Sequence, residues 1–112
     1  MTREVNTAIC RTPLNRDFVL RDQIQRASIS IMANIAEGFD SGSNRELIRF
    51  LRYALRSASE VQSHLYVALD REYLPEDAFR SSYEKAVVVK NLLSGFIRYL
   101  KSNRIQPTLP RS

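Results

Sequence analysis

Residues 21 to 40, RDQIQRASISIMANIAEGFD, place apolar side chains on two opposite sides of one helical stretch. At about 100° per residue, Leu20, Ile24, Ala27, Ile31 and Ile35 fall in one narrow sector, spaced three or four apart as a core-facing helix requires. Ile29, Met32 and Ala36 gather on the far side, where a surface helix presents charge. Apolar area left in water costs about 25 cal/mol per Å², so the second strip calls for a partner. A neighbouring subunit would cover it, and so would a further helix of the same chain. The inter-subunit seam is the expectation adopted.

Taken in order, the chain reads as four helices. Val5, Ala8 and Ile9 have the spacing of a short first helix over about 2–11, and Pro13 breaks it. A second helix over about 17–37 is capped by Asp17 or Asn15, and Gly38 is expected to end it in a left-handed turn. Ser43-Asn44-Arg45-Glu46 has the form of a capping box opening a third helix over about 44–71. There Leu47, Leu51, Ala54, Ala58, Val61, Leu65 and Ala68 keep an alternating four-three spacing, the pattern of a bundle seam. Ile48, Leu55 and Tyr66 lie roughly 90° off that seam and are expected, with Ile29, Met32 and Ala36, to contact a neighbouring subunit. Tyr73-Leu74-Pro75-Glu76-Asp77 stops one helix and starts the next, over about 75–102, with Phe79, Tyr83, Ala86, Val87, Leu93, Phe96, Ile97 and Leu100 on its apolar side. Residues 104–112, with two Pro and two Arg, are expected to be a flexible tail.

Short connectors make consecutive helices antiparallel. The expected fold is therefore all-α: one domain over 1–103, an up-down-up-down antiparallel four-helix bundle with a short first helix. A chain of 112 residues with 44% hydrophobic and 26% charged residues has the size for one core. The longest purely apolar run, Ala86–Val89, is far short of the roughly 20 residues that span a bilayer, and the polar start MTREVNT lacks a signal core. With a single cysteine, Cys10, excluding an internal disulfide, a cytoplasmic protein without membrane partners is expected.

Charge adds a direction. The formal net charge is +5, and fourteen of the seventeen basic residues are Arg, whose planar fork matches phosphate and carboxylate alike. Arg45, Arg49, Arg52 and Arg56 are spaced so that all four project within about 60° of one another, opposite the Leu/Ala seam. Such a stripe is either a solvated helix face or a track for the phosphates of RNA or DNA, bound without base selectivity. Tyr53, beside it, could stack a base or simply pack. Catalytic inventory is sparse: His64 is the single histidine, Cys10 has no partner, and neither a glycine-rich phosphate loop nor a metal-ligand spacing is present. No cofactor and no catalytic residue is expected. Asn34 and Glu37 are expected to serve helix ends or interfaces.

The segment DQIQRASISIMANIAEGF followed by SNRELIRFLRYALRSASEV resembles the four-helix-bundle family encoded in intervening sequences of bacterial 23S rRNA genes, related to the accessory variability protein of diversity-generating retroelements. The signature that carries the likeness is Ser30, Ile31, Asn34, Ile35, Ala36, Glu37 and Gly38; within it Ser30, Asn34, Glu37 and Gly38 are structural residues. Met32 stands where proline is common in the family, and Arg56 where a small Gly precedes Ser57. The resemblance implies a cytoplasmic homopentamer with a basic surface and, in the retroelement branch, nucleic acid and a reverse transcriptase as partners. The functional expectation is a non-catalytic oligomeric bundle binding RNA or DNA backbone, with a protein interaction scaffold as the alternative.

Overall fold

The computed structural model describes residues 12–102 together with Arg3 and Val5. Among these the structure is all-α: a short 3-10 turn, Pro13–Arg16, then α1 (Phe18–Asp40), α2 (Asn44–Asp70) and α3 (Glu76–Ser102). The expected helix over 2–11 falls outside the described residues except at Arg3 and Val5, which are helical, Val5 being fully buried. The expected tail over 104–112 lies outside them altogether.

Each helix begins where its side-chain chemistry allows. Asp17 caps α1, its Oδ1 accepting from the Leu20 amide at 3.1 Å. Ser43 caps α2, its Oγ accepting from the Glu46 amide at 3.1 Å. The Glu46 carboxylate turns outward to Arg49. Before α3, the connector closes with the Tyr73 amide donating to the Ala68 carbonyl and the Glu72 amide to the Leu69 carbonyl, a Schellman ending. Its left-handed residue is Glu72, at φ 60°, where glycine is usual.

The end of α1 corrects the expected helix stop at Gly38. Gly38 is helical and buried, the helix runs on to Asp40, and the left-handed glycine is Gly42, at φ 85°. Gly38 is small for a different reason, because α2 passes directly against it. The Ser41 amide and hydroxyl both donate to the Gly38 carbonyl and close the helix there.

α1 and α3 each pack principally on α2, which makes α2 the central helix. Both pairs are antiparallel: Gly38 meets Leu47 while Asp17 meets Tyr73, and Gln62 meets Lys90 while Tyr66 meets Phe79. All seven seam residues of α2, Leu47 to Ala68, are buried, against Leu20, Ile24, Ala27 and Ile31 on one side and Leu93, Ile97 and Leu100 on the other. Val87 departs from expectation and is exposed at 37%, whereas Val89 packs against the core. An unbroken run such as Ala86–Val89 has no periodicity to say which valine points inward.

Candidate nucleic-acid interface

The outer face of α2 is built by the seam that buries its inner face. With Leu51, Ala54 and Ala58 fully buried, residues half a turn away must point to solvent, and Arg45, Arg49, Arg52 and Arg56 are all exposed. The four guanidiniums are held differently. Arg49 Nη1 donates to Glu46 Oε1 at 3.1 Å, and its Nε donates to the Tyr53 hydroxyl at 3.0 Å. Its guanidinium also lies over the Phe50 and Tyr53 rings. The Tyr53 hydroxyl and then the Glu46 carboxylate favour the charged form and raise the Arg49 pKa further. Arg56 lies over the same Tyr53 ring, at 5.5 Å. Tyr53 therefore works as a support that orients two arginines, the geometry of cation–π contact.

The arginine face continues onto α3. A shallow groove holds Arg45, Arg49, Arg52 and Arg56 with Ile48, and Lys101 of α3 closes it. A second groove, of about 480 Å³, lies between α2 and α3 and is lined by Arg52, Arg98 and Lys101 above Leu55 and Ile97. Arg52 and Lys101 belong to both, so the basic surface is continuous from the crest of α2 into the cleft beside it. Sequence spacing gives no reason to pick out Arg98 and Lys101. Standing three apart, they share one side of α3, but only the packing of α3 on α2 brings that side to the arginine stripe.

The six residues expected at a subunit interface divide into two groups. Ile29 and Met32, 60% and 62% exposed, form an open apolar strip on α1 with Ala36. Ile48, Leu55 and Tyr66 instead point toward α3 of the same chain: Ile48 and Leu55 pack against the core, and the Tyr66 ring stands 5.0 Å from Phe79 and 5.3 Å from Tyr83. The strip 90° off the seam is thus occupied chiefly within the chain, although Tyr66 keeps half its surface in water.

The signature residues line the α1/α2 contact. Ser30 Oγ lies 2.9 Å from Ser57 Oγ across the two helices, and Asn34 Nδ2 donates to the Ser30 carbonyl and hydroxyl. Gly38 lets α2 approach, while Glu37 is exposed. His64 is half-buried on α2. Among the described residues no group of three or more His, Cys, Asp or Glu is placed to hold a metal ion, and no helix is long and apolar enough to cross a membrane.

Residues 1–95 match the family of 23S rRNA-intervening sequence proteins. The chain belongs to that family. Its fold is shared by a protein of unknown function from the S23 ribosomal protein family of Bacteroides thetaiotaomicron, 28% identical, with a TM-score of 0.76 over 85% of this chain and 88% of that one. Comparison with curated proteins finds no match. Family membership and the shared fold cover the helices and their packing. They leave the basic face to be interpreted on its own chemistry.

Proposed function

We propose that this chain is a non-catalytic, oligomeric four-helix bundle that binds the sugar-phosphate backbone of RNA or DNA, as an accessory to a ribonucleoprotein in the cytoplasm. One observation carries the reading: four exposed arginines of α2 join Arg98 and Lys101 of α3 in one surface, where Glu46 is the carboxylate that lines the grooves. Six cations against one anion attract phosphate, and the planar fork of Arg favours bidentate contact with it. Such contacts position a backbone without reading bases. The open strip of Ile29, Met32 and Ala36 supports self-association, with five copies the number implied by the family resemblance.

Fluorescence anisotropy with a labelled oligonucleotide across a salt series tests the reading. Affinity should fall steeply with salt. Exchanging Arg45, Arg49, Arg52 and Arg56 for Gln should cut it at least a hundredfold and flatten the log–log slope by about 0.7–0.9 for every phosphate that is no longer neutralised. Unchanged binding would make the stripe a solvated face and move the backbone contact elsewhere, whereas no binding by the wild type would leave a protein interaction scaffold as the function.

A further inference from the structure

The composition of the cleft between α2 and α3 bears on which form of nucleic acid this surface takes. Its rim is cationic, with Arg52, Arg98 and Lys101 all exposed, and Ser94 adds a hydroxyl. Its floor is apolar: Ile97 is buried and Leu55 is half-buried against the core. It holds about 480 Å³ and is largely open to solvent. A duplex presents phosphates on its outside and keeps its base faces stacked, so it would engage the rim and leave the floor in water. A single strand exposes base faces as well as phosphates: proteins that hold single strands pair a cationic track with aromatic platforms, and a base taken out of its stack is also held against apolar side chains.

The α2 crest provides such a track. From Arg45 to Arg56 it advances three or four residues per arginine, a rise of about 4.5–6 Å each. The resulting single line of cations leads through Arg52 and Lys101 into the cleft. Resting on the nucleic-acid reading above, we infer that the ligand is a single strand, its phosphates following the arginine crest of α2 and one unstacked base entering the cleft to lie on Leu55 and Ile97. Arg98 and Lys101 then hold the phosphate of the nucleotide in the cleft. A free nucleotide offers the same phosphate and base, but it would fill the cleft and leave the crest unused.

The test compares three ligands on the full chain at one salt concentration: a labelled 12-nucleotide single strand, the same sequence as a duplex, and adenosine monophosphate as competitor. The single strand should bind at least tenfold more tightly than the duplex, and the mononucleotide should compete only at far higher nucleotide concentration. Arg98→Gln with Lys101→Gln, both exposed, should weaken the single strand about tenfold and erase most of the preference. Leu55→Ala should reduce the preference with the salt slope unchanged, since leucine neutralises no phosphate; circular dichroism checks that the variant is folded. A duplex bound as well as the single strand, or a preference that survives both sets of changes, would overturn the single-strand inference and leave backbone binding standing. Competition by the mononucleotide at matched nucleotide concentration would likewise overturn it in favour of a free-nucleotide site. Failure of every ligand to bind would overturn the nucleic-acid reading itself.

Discussion

Gly38 of α1 lies so close to Leu47 of α2 that a Cβ built on it would stand 2.9 Å from Leu47 Cδ1 and 3.1 Å from Phe50 Cβ. Leu47 can rotate its methyl aside. Phe50 Cβ is fixed to the α2 backbone and cannot, so the two helices would have to separate there, about two turns along from the Ser30–Ser57 contact. Alanine favours a helix over glycine by about 1 kcal/mol, but overpacking at such a contact costs about 1–3 kcal/mol. Gly38→Ala should therefore be neutral to destabilising, by up to about 2 kcal/mol, and Gly38→Val more so. Gly95 provides the control: a Cβ there meets only the end of Arg98, at 4.0 Å. Gly95→Ala should stabilise by about 0.5–1 kcal/mol, and thermal melts of the three variants would separate the two roles of glycine.

Asp17 ties α1 to the connector before α3, capping α1 while accepting from Arg71 Nη1 and the Tyr73 hydroxyl, both at 3.1 Å. The Leu20 amide chiefly holds its pKa below the ordinary 3.8, partial burial opposes that pull, and Tyr73 and Arg71 reinforce it. A carboxylate with a depressed folded pKa contributes stability that is complete above its unfolded value and disappears as pH falls through the folded one. Urea midpoints for wild type and Asp17→Asn should differ most above pH 4 or so and converge at lower pH. A constant gap down to about pH 2 would assign the effect to packing.

Glu46 competes for Arg49. The salt bridge at 3.1 Å is exposed and weak by itself, yet it occupies one arm of a guanidinium that the proposed ligand needs. Glu46→Gln should raise oligonucleotide affinity several-fold at low salt with little change in melting temperature, and the gain should shrink as salt screens the carboxylate. Tyr53→Phe removes the hydroxyl that orients Arg49 and should lower affinity in the same assay.

Ile29→Glu with Met32→Glu tests the assembly. Both side chains are about three-fifths exposed, so charge there leaves the core of the subunit intact. Light scattering should show a smaller particle than wild type at unchanged helicity. An unchanged mass would remove this strip from the proposed subunit contact.

Much of the helix pattern was legible in the chain because period and capping are local properties. The seam from Leu47 to Ala68, the Ser43 cap and the outward arginines follow from spacing alone, since a helix that buries one sector must expose the opposite one, whereas the choice of Asp17 over Asn15 as the α1 cap came from the structure. Arg45 to Arg56 stand out as a stripe on that ground. What local spacing left undecided was the neighbour of each remaining face. Gly38 carries the signal of a helix end, and only the approach of Leu47 and Phe50 shows it to be a packing residue. Ile48 and Leu55 have the spacing of an interface strip, yet α3 of the same chain lies beside them. The tertiary structure made α2 central, brought Arg98 and Lys101 to the stripe, and set Leu55 and Ile97 beneath them as a cleft floor. These are meetings between residues some 40 positions apart, produced by antiparallel packing of whole helices. Short-range periodicity carries the direction in which a side chain points; only the packed bundle determines what it meets.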